Sequence, residues 1–113
     1  MKAVFVELPP FERYRREYLD DDGFLLLQTL LIENPKAGDV IRGTGGLRKI
    51  RYSDARRGKG KRGGLRVIYY WWLKGHQFWL FTLYDKDEAV DLTAQQCAQL
   101  KGLLEKEIAE RSQ

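Results

Sequence analysis

The stretch Leu65–Tyr84, LRVIYYWWLKGHQFWLFTLY, decides the fold because it holds two long apolar runs on either side of a turn signal. The runs Leu65–Leu73 and Gln77–Tyr84 are rich in aromatic and β-branched residues, and Lys74-Gly75-His76 separates them. This pattern predicts an antiparallel β-hairpin with a tight turn that contains glycine. Since nearly every residue of both strands is apolar, we expect both faces of these central strands to be covered.

Residues before the hairpin predict one strand and two helices. The run Lys2–Glu7 is short and rich in β-branched and aromatic residues, which is typical of a strand. A first helix is expected from the proline pair that follows to about Asp20, because prolines are tolerated in the first helical turn. A second helix, capped by a carboxylate of Asp20–Asp22, is expected to end before Pro35. The apolar stripes of the two helices comprise Phe11, Tyr14, Tyr18, Phe24, Leu27, Leu30 and Leu31.

The remaining segments complete the pattern. A glycine-rich turn precedes a predicted strand over Leu47–Tyr52, and Ser53–Gly64, with four glycines and no apolar stripe, is expected to be a mobile connection. A helix capped by Thr93 is expected to run to about Glu110, with a stripe formed by Cys97, Leu100, Leu103, Leu104 and Ile108. The sequence therefore predicts a single domain over residues 1–113. Its α+β fold has two N-terminal helices packed on an antiparallel β-sheet of three or four strands, with a C-terminal helix.

The composition excludes several classes of protein. A chain of 113 residues with 43% hydrophobic and 12% aromatic residues is too apolar to be disordered. No apolar run reaches the roughly 20 residues of a membrane helix and the N-terminus lacks an export pattern, so we expect a cytoplasmic protein without a membrane partner. Cys97 and His76 are the only residues of their types, which excludes an intrachain disulfide and a zinc site of clustered cysteines and histidines. We expect no metal and no cofactor.

Positive charge is concentrated in one segment of the chain. Arg42–Arg66 holds ten lysine and arginine residues and one acid, Asp54, whereas the net charge of the whole chain is only +4. A local positive field attracts polyanions, with nucleic acid as the first candidate and an acidic protein as the second. A solvated basic loop without a partner is the alternative interpretation.

Familiar catalytic constellations find little support in the sequence. His76 lies in the predicted hairpin turn and Cys97 on the apolar stripe of a helix, so both are interpreted as structural. The glycines of GTGGLRK lack the spacing of a phosphate-binding loop. Acidic residues cluster after the last strand, where carboxylates usually cap or face solvent; they are Asp85, Asp87, Glu88 and Asp91.

Cations on the predicted sheet remain as candidates for chemistry. Strand alternation places Lys49 and Arg51 on one face, and Arg66 opens the neighbouring strand. Converging cations can neutralise the phosphorane that forms when a 2′-hydroxyl of RNA attacks the adjacent phosphodiester, and histidine is not required. A lysine crowded by other cations can act as a base, and an arginine can bind phosphate through two hydrogen bonds. The residues alone leave RNA cleavage and passive RNA binding equally open.

Several segments resemble one family of proteins in their order and spacing. They are VFVE at 4–7, NPKAGDVIRGTGGLRKIR at 34–51, GKGKRGGLRVIYY at 58–70, LYDKDE at 83–88 and DLTAQQ at 91–96. The chain resembles the HigB branch of the RelE/ParE superfamily of bacterial toxins. This resemblance implies a RelE-like fold and the toxin of a type II toxin–antitoxin system. Such a toxin enters the ribosomal A site and cleaves translated messenger RNA there by 2′-hydroxyl attack, without a metal ion.

The resemblance also assigns roles to individual residues. Lys49 and Arg51 match the basic strand motif that takes part in catalysis, and Arg66 matches the arginine that grips the scissile phosphate. Lys86 lies where the family commonly has a basic residue at the end of the last strand. Further contacts with RNA and the ribosome are expected from the other cations of the basic segment, which are Arg48, Arg56, Arg57, Lys59, Lys61 and Arg62.

The chain departs from the RelE branch after the last strand. That branch has an arginine beside the lysine and a catalytic tyrosine shortly afterwards, whereas this chain has Asp87 and then Leu92-Thr93. The departure leaves the general acid unassigned, and Lys59 or Lys61 of the longer glycine-lysine loop can compensate for it.

The resemblance implies a HigA-type antitoxin as a partner. The antitoxin can cover the basic surface or pair with an exposed sheet edge, and the short Val4–Glu7 strand favours the edge because it gives its backbone groups limited protection. Two other functions stay open: a ParE-like inhibitor of DNA gyrase that cleaves nothing, and a non-catalytic RNA- or ribosome-binding protein. Lys49, Arg51, Arg66 and Lys86 together favour the nuclease.

Overall fold

The computed structural model describes residues 3–52, 64–85 and 92–112. In these ranges the chain forms a five-stranded sheet in the order β1-β5-β4-β3-β2, with helices on both faces. The strands are β1 (Val4–Glu7), β2 (Asp39–Val40), β3 (Arg48–Tyr52), β4 (Leu65–Trp72) and β5 (Gln77–Asp85). The helices are α1 (Pro9–Tyr18), α2 (Asp21–Glu33) and α3 (Ala94–Arg111).

The predicted hairpin is confirmed as β4 and β5, which pair antiparallel along their whole length. A short 3-10 turn, Leu73–Gly75, and His76 connect the strands, and His76 rather than the glycine has the left-handed backbone conformation, with φ of 50°. Gly75 is required for a different reason, because a Cβ atom there would collide with the indole ring of Trp72. The pairing shifts between Ile68 and Tyr69, where β5 contains one extra residue and the sheet is locally bent.

The two N-terminal helices cover one face of the sheet, as expected. The Asp20 carboxylate accepts a hydrogen bond of 2.7 Å from the Gly23 N–H, which caps α2 at its first turn. Phe24, Leu27 and Leu31 of α2 are buried against the sheet, whereas Leu30 of the same apolar stripe is 37% exposed. Tyr14 of α1 is 39% exposed. The apolar stripes are wider than the area that each helix contacts.

Helix α3 covers the other face, so the expectation that both faces are covered is confirmed. Its N-terminus has a capping box, in which the side chains of Thr93 and Gln96 each accept a hydrogen bond from the other residue's N–H. Leu104 is buried against Trp79 and Phe81 of the sheet, whereas Leu103 of the same predicted stripe is 47% exposed.

The sheet differs from the expected one in two respects. Strand β1 pairs parallel with β5, so four strands run antiparallel and the edge strand does not. Strand β2 has only two residues, Asp39 and Val40, and is too short to show a strand pattern in the sequence. The expected mobile connection Ser53–Gly64 lies outside the described residues except for Gly64. None of the helices in the described ranges is long and apolar enough to cross a membrane.

Candidate active site

Three cations share the face of the sheet that α3 partly covers. Arg51 on β3 pairs directly with Arg66 on β4, and Lys49 lies two residues before Arg51. Directly paired residues point to the same face of a sheet, and so do residues two apart on a strand. The structure therefore brings Lys49, Arg51 and Arg66 together, as the alternation of the sequence predicts.

The two arginines of this group differ strongly in exposure. Arg51 is exposed, whereas Arg66 is only 5% exposed, and its Nη1 donates a hydrogen bond of 3.4 Å to the Gly64 carbonyl oxygen. Tyr84 on β5 pairs with Arg66, so Arg51, Arg66 and Tyr84 form a row across three strands. A buried guanidinium keeps its charge, and it therefore adds to the positive potential around the exposed cations.

A groove runs along the β2 and β3 edge of the sheet beside these cations. It has a volume of about 410 Å³, which lies in the size range of small-ligand sites. Its polar lining consists of Asp39, Lys49 and Arg51, and its apolar lining consists of Ala37, Val40, Ile41 and Ile50. Asp39 is exposed and pairs directly with Lys49, so a carboxylate faces the cations across the groove.

The backbone that precedes Asp39 is held by two side chains from the sheet. The buried Tyr69 hydroxyl donates to the Pro35 carbonyl oxygen at 2.8 Å and accepts from the Gly38 N–H at 2.9 Å. The Arg48 Nη1 donates to the Gly38 carbonyl oxygen at 2.7 Å and reaches the Lys36 carbonyl oxygen at 3.5 Å. Burial raises the pKa of Tyr69, and the Gly38 hydrogen bond partly opposes that rise. Gly38 is therefore fixed on both its N–H and its carbonyl side.

Glycine is needed at position 38 because the chain passes very close to its neighbours there. A Cβ atom on Gly38 would lie 2.9 Å from the Lys49 carbonyl oxygen and 2.9 Å from Cε1 of Tyr69. Neither the β3 backbone nor the buried ring can move away cheaply. This close approach lets β2 pair with β3 at Lys49, so it sets the position of Asp39 in the groove.

The turn between β2 and β3 fixes their register. Thr44 is fully buried, and its hydroxyl donates to the Ile41 carbonyl oxygen at 2.6 Å and accepts from the Leu47 N–H at 3.2 Å. The Ile41 N–H donates to the Leu47 carbonyl oxygen at 2.8 Å, which closes the turn. Three glycines of this turn have positive φ, as the glycine-rich sequence suggests: Gly43, Gly45 and Gly46.

The other predicted site residues fall into two groups. Arg48 lies on the opposite face of β3 from Lys49, and its guanidinium is engaged with backbone carbonyl groups. The remaining predicted residues lie outside the described residues: Lys86, Arg56, Arg57, Lys59, Lys61 and Arg62. His76 is exposed at the far end of the hairpin, and Cys97 is half-buried on α3. Within the described ranges, no three histidine, cysteine or acidic residues are grouped so that they could hold a metal ion.

Asp39 is the charged residue of the groove that the sequence pattern did not predict. The basic segment begins at Arg42, and the two-residue strand Asp39–Val40 is too short to leave a strand pattern in the sequence. A signal was nevertheless present, because Asp39-Val40 precedes the glycine-rich turn and the strand over Leu47–Tyr52. Interpreting these segments as a second hairpin would have placed Asp39 opposite a residue of the basic strand.

Comparison with known proteins places this arrangement on a known fold. No protein-family model matches the chain. A double mutant of Escherichia coli toxin RelE in the free state superposes with a TM-score of 0.55 and 14% identity, over 80% of this chain and 90% of that chain. A chain of the intact E. coli RelBE toxin–antitoxin complex gives 0.50 and 15%, over 71% of this chain and 92% of that chain. At these identities the likeness shows the fold, and it confirms the RelE-like α+β fold expected from the sequence.

Proposed function

We propose that this protein is the toxin of a type II toxin–antitoxin system and cleaves translated messenger RNA in the ribosomal A site. The observation that carries this proposal is the convergence of Lys49, Arg51 and Arg66 on one face of a RelE-like sheet. The fold and the cations support the proposal independently, because the fold is a property of the backbone and the cations are side chains. The HigB branch is proposed on the sequence motifs at 34–51 and 58–70.

The chemistry of RNA cleavage suits these residues. Attack of a 2′-hydroxyl on the neighbouring phosphodiester builds negative charge on the phosphorane oxygens, and fixed cations stabilise that charge more than they stabilise the ground state. Arg51 is exposed and can donate two hydrogen bonds to phosphate, whereas the nearly buried Arg66 supplies a fixed charge behind it. The reaction in this proposal needs no metal ion and no cofactor.

The described groove is lined by only two cations, Lys49 and Arg51, and we propose that the ribosome presents the messenger to it. The basic segment Arg42–Arg66 supports this step, because cations spread along one segment can contact ribosomal RNA through phosphates. Six of the proposed contacts or catalytic groups lie outside the described residues, namely Arg56, Arg57, Lys59, Lys61, Arg62 and Lys86. We propose a location in the cytoplasm, because the proposed target is the translating ribosome. We also propose that residues 1–113 form a single domain.

An antitoxin completes the proposal, because a nuclease directed at its own cell's translation requires an inhibitor. The RelBE structure shows a toxin of this fold with an antitoxin, and we propose a HigA-type antitoxin for this chain. Among the strands of the described residues, β1 is an edge of the sheet and pairs only with β5. It therefore offers unpaired backbone groups to an added strand, whereas an acidic segment could instead cover Lys49 and Arg51.

The proposal is tested by inducing the protein briefly in bacterial cells and mapping the 5′ ends of messenger RNA. We expect new ends within translated reading frames and a stop in protein synthesis, and the ends should vanish when translation initiation is blocked beforehand. New ends that persist without translation would contradict ribosome dependence. A stop in DNA replication with intact messenger would support a gyrase inhibitor instead, and a stop in translation with intact messenger would support passive ribosome binding.

A further inference from the structure

We propose that Asp39 is the general base that accepts the proton of the attacking 2′-hydroxyl. This inference rests on the proposed RNA cleavage and adds a residue that the sequence motifs did not assign. It is carried by three features of the groove: the pairing of Asp39 with Lys49, the exposure of the carboxylate, and the fixed backbone before it.

The sheet register places Asp39 where a proton acceptor is needed. Asp39 is one strand away from Lys49, and Arg51 is two residues further along β3 on the same face. With strands about 4.8 Å apart and about 3.4 Å per residue, the Cα atoms of Asp39 and Arg51 are separated by about 8 Å. A ribose that fills this space, with its phosphate on Arg51, therefore brings the 2′-hydroxyl toward the carboxylate.

The other polar groups of the groove are less suited to accept a proton. Arginine remains charged in proteins, so Arg51 can donate hydrogen bonds to phosphate but cannot act as a base. Lys49 faces a carboxylate across the strand pair, and an ammonium group has no acceptor capacity. Among the described groups that line the groove, Asp39 is the residue whose ionised form accepts a proton directly.

The position of Asp39 is also held firmly. Tyr69 and Arg48 bind the N–H and the carbonyl of Gly38, the residue directly before it, and Gly38 has no space for a side chain. General bases contribute most when their geometry is fixed before the substrate arrives. Two buried or half-buried polar side chains therefore hold the backbone that carries this one carboxylate.

The proton balance of the step is complete. The 2′-oxygen forms a bond to phosphorus while its proton passes to the Asp39 carboxylate, and the bond from phosphorus to the 5′-oxygen breaks. A water molecule protonates the leaving 5′-oxygen, and the hydroxide that remains takes the proton back from Asp39. The products are a 2′,3′-cyclic phosphate and a 5′-hydroxyl, with Asp39 restored to its ionised form.

The test compares Asp39→Asn with the wild-type protein in single-turnover cleavage of messenger RNA on purified ribosomes between pH 6 and 9. We expect a loss of about 10²- to 10⁴-fold at neutral pH, the usual contribution of general acid–base catalysis. In Asp39→Asn, hydroxide from the solvent must replace the base. The cleavage rate of the variant should therefore rise with pH more steeply than the wild-type rate, by an additional factor of ten per pH unit.

The environment of Asp39 makes the pH profile informative. The charged or titratable groups around it come from both faces of β3, from β4 and from its own segment; they are Lys49, Arg51, Arg48, Tyr69, Lys36 and Arg42. Both proteins contain all of these groups. A difference in slope between the two proteins therefore reports the loss of the carboxylate.

Two further variants separate a base from a purely structural or electrostatic role. Asp39→Glu keeps a carboxylate. We expect its cleavage rate to lie between those of the wild type and Asp39→Asn, with the pH slope of the wild type. Glu105→Gln, on the exposed side of α3, makes the same change of charge and should cleave at the wild-type rate. An RNA with a sulfur atom as the 5′ leaving group needs no general acid, so it should not rescue Asp39→Asn.

The outcomes are distinct. Three results would overturn the assignment of Asp39 and leave the proposed function intact, provided that the wild-type protein cleaves. The first is a cleavage rate of Asp39→Asn within threefold of the wild-type rate. The others are a slow Asp39→Asn with the wild-type pH slope, and rescue of Asp39→Asn by the sulfur leaving group. Absence of cleavage by the wild-type protein on translating ribosomes would instead overturn the proposed function and the assignment together.

Discussion

Replacing Tyr69 by phenylalanine removes one hydroxyl that joins two backbone groups beside the candidate active site. The hydroxyl donates to the Pro35 carbonyl and accepts from the Gly38 N–H, and the ring itself is fully buried. Phenylalanine keeps the ring and its packing, so the change in the free energy of unfolding reports the hydrogen bonds. Each lost bond costs about 1 kcal/mol, and a buried group left unsatisfied costs about 1–3 kcal/mol. We therefore expect Tyr69→Phe to lower the free energy of unfolding by about 2–4 kcal/mol.

Urea unfolding at neutral pH measures this difference directly, with Tyr70→Phe as the matched control. Tyr70 is the next residue on β4 and is half-buried on the opposite face, so its variant should lose less than about 0.5 kcal/mol. A loss below about 0.5 kcal/mol for Tyr69→Phe, or equal losses in the two variants, would refute the view that Tyr69 anchors the Gly38 backbone.

The difference in the free energy of unfolding between wild type and Tyr69→Phe should depend on pH. Burial raises the pKa of Tyr69 in the folded state above the usual value of about 10 for tyrosine. The unfolded chain therefore loses the Tyr69 proton at lower pH than the folded chain does, and folding is penalised once the unfolded tyrosine ionises. The advantage of wild type over Tyr69→Phe should be constant below about pH 10 and should shrink above it. An advantage that grows at alkaline pH would contradict the sign of this shift.

Three further predictions concern the proposed activity. Lys49→Ala and Arg51→Ala should each slow cleavage, and the double variant should lose less than the product of the two effects because both cations act on one transition state; strictly multiplicative losses would indicate separate roles. Ribosome binding should weaken steeply with salt, and the slope of log affinity against log salt should flatten when three basic residues of the segment before β4 are neutralised; they are Arg56, Arg57 and Lys59. Hydrogen exchange in the presence of the antitoxin should show new protection on β1, and protection confined to Lys49–Arg66 would favour direct coverage of the active surface.

The sequence predicts the elements whose signals are local. The β4 and β5 hairpin follows from two apolar runs and a turn, and α2 and α3 follow from the capping residues Asp20 and Thr93 together with their apolar spacing. The alternation of Lys49 and Arg51 also gives their shared face, because two residues along a strand always point the same way.

Features that depend on long-range pairing were not predictable in this way. The parallel direction of β1 is set by its position beside β5, more than 70 residues away, and no property of the run Val4–Glu7 records it. Arg66 is only 5% exposed, whereas its sequence context marks only a strand start. The Tyr69 hydroxyl contacts Pro35 and Gly38 across more than 30 residues, so its role in placing Asp39 appears only in three dimensions.

The central claim is that the cations on β3 and β4 form the catalytic surface of a ribosome-dependent nuclease. The most direct test compares wild type, Arg51→Ala and Lys74→Ala in cleavage of messenger RNA on purified programmed ribosomes. Both substituted residues are exposed and each change removes one positive charge, but Lys74 lies in the hairpin turn at the other end of β4. We predict cleavage by wild type and Lys74→Ala at similar rates, a loss of about 10²- to 10³-fold for Arg51→Ala, and no cut in the same messenger without ribosomes. Equal rates for Arg51→Ala and wild type, or an equal loss in both variants, would contradict the claim.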